Sequence, residues 1–507
     1  GWKWHMISKL KKKFNKKFKD EDFSEILKKG SGAFGISIVG RFIGYLLLMV
    51  IGWIYGQEAM GVYTVGLSIL SIVGIFGRFG VDMALSRFVA QYGSIGRWDL
   101  VQHTYRKALV IIIPLGIFLS AATYFILPYY TDNLFDPADA DFDRYTFYMQ
   151  LFAASIIFYV LGGLSEECIK GLKKTAQYNW IAHVVNQLVA ILFLLIFGLF
   201  SKDQLWVNLS YCLGIFVAFL IAQLYWLHYL KNPEIAGTEF KSRKDKKGKN
   251  KTLQVEGANK IVAPEEPITT AELLKVSAPM MSAKYLTMIY TWLDILILAW
   301  YAAETKVAIY RVATRLTSLA TIPLISINSI AGPKFAEAYG KNDQKQLKNS
   351  VKQSTRLIFW SCIPILAIFL IFPKFSMWTF GKDFTGTEAV LVFVIVTLGQ
   401  AANVLTGPVT VLLNMTGRQK ITMYYAFATV IIDVSLNLIL IPLYGIIGAA
   451  IATSVARTVL NFGLAFQIYY TMGIVTIYNP FSDIRVMLKR GKKRKNRADI
   501  NQIDENE

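Results

Sequence analysis

Eight basic side chains interrupt otherwise apolar stretches of this 507-residue sequence or sit at their margins: Arg41, Arg78, Arg87, Lys275, Lys284, Arg311, Arg315 and Arg457. A cation at the centre of a membrane-inserting helix costs about 2.5–3.5 kcal/mol. Such a residue therefore faces a watery path, pairs with an acid or serves a ligand. The acids in the same stretches are fewer: Asp82, Asp294 and Asp433, with Glu166 and Glu167 at a margin. Arg311 and Arg315 are four apart and share one helical face. A surplus of positive charge between low-dielectric walls attracts anions, and planar guanidinium forks match phosphate oxygens. Arg41, Arg78, Arg87, Lys284, Arg311 and Arg315 are the candidate anion-binding set. Arg87 and Lys275 lie near a span end, where long side chains snorkel. Asp433 and Arg457, on adjacent stretches at similar depth, are expected to form a structural ion pair, and Asp294 to neutralise one of the candidate cations.

The elements that must carry these residues follow from composition. Hydrophobic residues make up 54%, charged residues only 17%, and mean hydropathy is +0.41. A soluble chain carries about a quarter charged residues. Here the charges are gathered between apolar runs of about 20 residues, which is the length of a membrane helix. The runs are continuous, whereas a membrane barrel alternates polar and apolar. Spans are predicted at about 33–55, 59–81, 104–127, 146–165, 179–200, 205–228, 272–299, 306–330, 355–373, 386–413, 421–442 and 446–470. With the N-terminus inside, 41 Lys and Arg fall on the cytoplasmic side and five outside. That asymmetry orients a multi-pass protein of the cytoplasmic membrane with both termini in the cytoplasm.

The expected organisation is a basic N-terminus at 1–32, a six-helix lobe at 33–230, a charged linker at 231–270, a second six-helix lobe at 271–472 and a basic tail at 473–507. Residues 1–5, ahead of Met6, read as an extraneous remnant. The halves echo one another. An offset of 247 maps Tyr63 onto Tyr310 and Tyr92-Gly93 onto Tyr339-Gly340. Six spans per half make the repeat parallel, with its pseudo-two-fold axis along the membrane normal, a frame suited to alternating access.

Other chemistries find little support. Gly30-Ser31-Gly32-Ala33-Phe34-Gly35 matches a dinucleotide fingerprint by letter, but no strand or βαβ unit surrounds it. No Walker A sequence occurs. The three cysteines and four histidines lack metal-ligand spacing, so no cofactor is expected and any coupling ion is unknown. The net charge of +20 is spread along cytoplasmic segments, and nucleic acid is not an expected partner. The expected partners are membrane lipids and an anionic substrate, met by a monomer.

Three stretches carry a resemblance: 56–93 (GQEAMGVYTVG…RFVAQYG), 330–347 (IAGPKFAEAYGKNDQKQL) and 412–459, with Asn437-Leu438, Ile441-Pro442, Tyr444-Gly445 and Gly448-Ala449-Ala450. Together they resemble the polysaccharide-transporter branch of the multidrug/oligosaccharidyl-lipid/polysaccharide exporter superfamily, the flippases of lipid-linked oligosaccharides. The resemblance implies two six-helix lobes around a central cavity opened alternately to each side. Arginines of spans 1, 2 and 8 meet the substrate in related precursor flippases, which maps by depth onto Arg41, Arg78 and Arg311. The expectation is a flippase, not an enzyme, that moves a polyprenyl-(pyro)phosphate-linked oligosaccharide. A cation-coupled drug exporter would want acids in span 1, where the sequence offers Arg41 and none between Ala33 and Tyr55. A membrane glycosyltransferase would want a sizeable outer catalytic loop, and the loop at 131–143 is short.

Overall fold

A computed structural model describes residues 21–131, 142–236, 269, 271–274 and 291–478, with side chains from residue 35 onward. Among these, every regular element is helical. Ten helices among the described residues are long and apolar enough to cross a membrane. Lys275, Lys284, residues 1–20 of the basic N-terminus, most of the outer loop 131–143 and most of the linker 231–270 lie outside the described residues.

Two compact units emerge: residues 1–316 with 372–394 and 430–453, and residues 317–371 with 395–429 and 454–507. In the first, α1 (Glu21–Ile54) and α2 (Gly56–Arg78) are joined at Tyr55. α2 was expected to run to residue 81 but stops at Arg78, where Phe79 and Gly80 take positive φ. The chain restarts as α3 (Val81–Ser94). There follow α4 (Trp98–Ile126), α5 (Phe142–Gly171), α6 (Thr175–Gly198) and α7 (Leu205–Lys231). Burial sorts these spans. The most apolar window of α2 is 83% buried and forms the interior of the unit; that of α4 is 11% buried, so its apolar side chains face outward. In a membrane protein outward apolar surface meets lipid, which is why a moment-based reading of sidedness is weak here.

The short apolar helix α8 (Thr291–Tyr301) and α9 (Glu304–Thr317) complete the part of the first unit that carries the candidate cations. A 54-residue helix, α10 (Gln419–Met472), covers both spans predicted at 421–442 and 446–470. Its continuity is broken at Gly445, with φ 56° and ψ −134°, a conformation that residues with a Cβ avoid. Gly445 is thus the predicted turn between the two spans. Pro442 lies inside the helix just ahead of it.

In the second unit, Phe335, Leu347, Val351, Leu412, Leu413, Leu464 and Ile468 form a buried core. The predicted span at 386–413 is split into Thr387–Thr406 and Val409–Met415. Pro408 has no N–H to donate, and the Val409 N–H turns to Gly407 O at 3.0 Å. The Leu405 carbonyl is left for Tyr478, whose N–H donates to it at 3.1 Å. Trp360 Nε1 donates to the Tyr478 hydroxyl at 2.9 Å, and the Phe359 ring packs at a tilt against that of Tyr478, with centroids 4.7 Å apart. Residues 473–478 therefore brace the broken helix.

Candidate functional site

Helical spacing puts Arg41, Gly44 and Tyr45 within one turn of α1, and Arg311 and Arg315 on one face of α9. The two faces meet. The Tyr45 hydroxyl donates to Arg315 O at 2.5 Å, and the Arg315 guanidinium lies 5.1 Å from the centre of the Tyr45 ring. Gly44 is a notch for that guanidinium: a Cβ at this position would stand 2.7 Å from Arg315 Nη2. The Arg311 guanidinium lies 4.5 Å over the Trp292 ring of α8. Arg315 is close enough to repel both Arg41 and Arg311.

The Trp292 contact orients the Arg311 charge without cancelling it. A cation–π contact is worth roughly 0.5–2 kcal/mol, and here it occupies the flat face of the Arg311 guanidinium. Arg311 Nε is buried with no hydrogen-bond partner. Among the described residues, neither Arg41 nor Arg311 has a carboxylate at salt-bridge distance.

The other candidates are placed differently. Arg78 ends α2 and is anchored on α5, where its Nη2 donates to Tyr159 O at 3.0 Å and its guanidinium lies 4.4 Å over the Tyr159 ring. Gly163, one turn along α5, makes the room; a Cβ there would fall 2.2 Å from the Arg78 Cζ. Arg87 is exposed on α3. The structure thus brings Arg41, Arg311 and Arg315 together, seats Arg78 on α5, and leaves Arg87 at the surface.

Asp294, which the sequence offered as a counter-charge, is held by neutral donors instead. It accepts hydrogen bonds from the Tyr310 hydroxyl, Asn437 Nδ2 and the Thr453 hydroxyl, each at 3.0 Å. Asn437 Nδ2 also reaches Asp433 Oδ2 at 3.2 Å. All five side chains are buried, from 0% to 4% exposed. Hydrogen bonds of this kind satisfy a buried carboxyl group with neutral donors. Arg457, in the second unit, donates from Nη1 to Gln400 Oε1 at 2.7 Å, whereas Asp433 belongs to the first unit.

Sequence reasoning tracked charges and so missed Trp292, Tyr45, Gly44 and the neutral partners of Asp294. It also passed over the adjacent amides Asn186 and Gln187 inside an apolar span, a signal as readable as a charge had polar residues been scanned too.

Comparison with known proteins extends these observations. The family model described as "Polysaccharide biosynthesis protein" matches residues 26–339, and the MatE model matches residues 279–439. A probable low-salt glycan biosynthesis flippase of Haloferax volcanii is 26% identical over 197 residues, 38% of this chain and 40% of that relative's length. A putative O-antigen transporter of Shigella flexneri is 23% identical over 424 residues, covering 82% of this chain and 90% of the relative. Among solved structures, the lipid II flippase MurJ in an inward closed conformation superposes with a TM-score of 0.62 at 16% identity, over 86% of this chain and 87% of that one.

Proposed function

Because the chain belongs to the polysaccharide biosynthesis protein family, we propose that it is a membrane flippase for a saccharide carried on a polyprenyl phosphate or pyrophosphate. The observation that carries this reading is the group Arg41, Arg311 and Arg315 within apolar helices, with Arg311 seated on the Trp292 ring and Arg315 on the Tyr45 ring. Three guanidiniums on α1 and α9 suit a doubly or triply charged phosphate head. The polyprenyl tail stays in lipid while the head moves past these side chains, and the protein rocks between two access states. No bond is made or broken. Twelve spans, in two parallel six-helix halves with both termini in the cytoplasm, are the architecture proposed for this cycle. The functions of the Haloferax and Shigella relatives, a probable glycan biosynthesis flippase and a putative O-antigen transporter, support the reading.

A second reading has its own observation. The buried Asp294–Asn437–Asp433 group is the kind of acidic centre that a cation-coupled exporter of the same superfamily would use. Those acids are engaged by Tyr310, Thr453 and Asn437, while α9 presents Arg315 to Tyr45 of α1, one turn from Arg41. The two readings separate in proteoliposomes holding the purified protein. A fluorescent polyprenyl-pyrophosphate oligosaccharide should change leaflets at a protein-dependent rate, and an organic cation should not be moved. Transport of the cation alone would replace the first reading by the second.

A further inference from the structure

Within α6, residues Ile181–Val185 are wound as a π-helix. A π-turn inserts an extra residue and re-aims the side chains that follow it, and such turns recur at functional sites. Here the next two residues are Asn186 and Gln187, adjacent amides ahead of the wholly apolar run LVAILFLLIFG. Both ends of the Gln187 amide lie 3.1 Å from the point where a Cβ on Gly44 would stand, and Arg315 Nη2 lies 2.7 Å from the same point. The amide and the guanidinium therefore converge on the Gly44 notch.

Gln187 Oε1 is buried, and among the described residues it has no hydrogen-bond partner. Leaving a buried acceptor unbonded costs about 1–3 kcal/mol, so a position that keeps one beside a cation cluster calls for a ligand that donates. Asn186 turns its Oδ1 toward Gly214, where it too has no hydrogen-bond partner among the described residues. Donors and acceptors are thus set side by side. A bare phosphate can use only the donors. A sugar joined to that phosphate presents both phosphate oxygens, which accept, and hydroxyl or acetamido N–H groups, which donate.

We propose that Gln187, aimed by the π-turn onto the Gly44 notch beside Arg315, accepts a hydrogen bond from a hydroxyl or amide N–H of the sugar next to the phosphate. This subsite rests on the phosphate-lipid reading given above and adds that the protein recognises the first sugar, not the charged lipid alone.

The test compares two probes on the purified full chain in nanodiscs: a polyprenyl pyrophosphate bearing one N-acetylhexosamine, and the same lipid pyrophosphate without sugar. Gln187→Met keeps the length of the side chain and removes the amide. It should weaken the sugar-bearing probe about tenfold, the upper range for one lost hydrogen bond, and leave the bare lipid within about twofold, the lower end of that range. Arg311→Ala should weaken both probes. Thermal unfolding of Gln187→Met should be no lower than wild type, because an unbonded amide is replaced by an apolar chain. If that variant proves unstable, Gln187→Leu is read against the same two probes. Equal binding of the two probes by wild type, or a Gln187→Met effect that is nil or the same for both, overturns the subsite alone. Wild type that binds neither probe, or binding of both that ignores Arg311→Ala, overturns the phosphate-lipid reading and the subsite with it.

Discussion

Replacing Gly44 by Ala separates the placement of one guanidinium from the stability of the fold. The added Cβ would stand 2.7 Å from Arg315 Nη2 and 3.1 Å from the Gln187 amide, and both obstacles are the far ends of flexible side chains. Restoring van der Waals contact requires Arg315 Nη2 to retreat by about 0.7 Å. Alanine also favours the helical state over glycine by roughly 0.5–1 kcal/mol, so the melting temperature should stay level or rise. Misplacing a binding group by about 1 Å can cost up to a hundredfold in rate, and the flipping rate of Gly44→Ala is expected to fall by about ten- to a hundredfold. The control is Gly61→Ala in α2. Its Cβ would stand 2.0 Å from the backbone oxygen of Glu304 and 2.4 Å from the carbonyl carbon, which cannot swing aside. Overpacking of that kind costs about 1–3 kcal/mol or more, so Gly61→Ala should lose stability first. The paired assay is thermal unfolding in detergent together with lipid flipping in proteoliposomes. A Gly44→Ala protein that flips at the wild-type rate would refute the argument that Arg315 must occupy the notch.

Tyr310→Phe removes a donor to the Asp294 carboxylate and the 2.6 Å contact with Thr453. A hydrogen bond to a charged group is worth about 1.5–3 kcal/mol, so this variant should unfold earlier than wild type; an unchanged melt would show that the network does not hold the carboxylate. Trp360→Phe removes the donor to the Tyr478 hydroxyl. It should speed amide exchange at residue 478 while leaving the core around Phe335 and Leu464 protected, and unaltered exchange would mean that the brace is held by other contacts. The native cysteines Cys168, Cys212 and Cys362 are buried, so a cysteine introduced into 131–143 or 231–270 can be read with an impermeant maleimide without removing them. The first should label from outside the cell and the second only from the cytoplasm; the reverse pattern would invert the topology.

Most of the helical frame was legible because lipid imposes a strict rule: apolar runs of span length, with positive charge left on one side. The turn at Gly445 was legible for a related reason, since glycine and proline punctuate an otherwise unbroken 54-residue helix. The end of α2 was less so. Nothing apolar changes between Arg78 and Asp82, and the stop depends on positive φ at Phe79 and Gly80, which hydropathy does not register. Within the site, the shared face of Arg311 and Arg315 follows from spacing alone. Their aromatic seats do not, because Trp292 and Tyr45 sit on other helices and tertiary packing decides which ring meets which cation. Asp294 shows the limit of charge counting. The sequence offered it a cation, whereas the fold supplies three neutral donors from residues 310, 437 and 453, brought together from three separate helical segments.

The central claim is that guanidiniums on α1 and α9 carry a phosphate-linked saccharide head across the membrane. The most direct measurement is the initial rate at which a fluorescent polyprenyl-pyrophosphate oligosaccharide changes leaflets in proteoliposomes, compared for wild type, Arg311→Ala and Arg311→Lys at matched protein insertion. Arg311 has its face on Trp292 and a buried Nε without a partner, so its edge is available to a phosphate oxygen. Arg311→Ala should therefore abolish flipping, and Arg311→Lys should restore only part of it, since an ammonium keeps the charge and loses the planar fork. Flipping by Arg311→Ala at the wild-type rate would contradict the account.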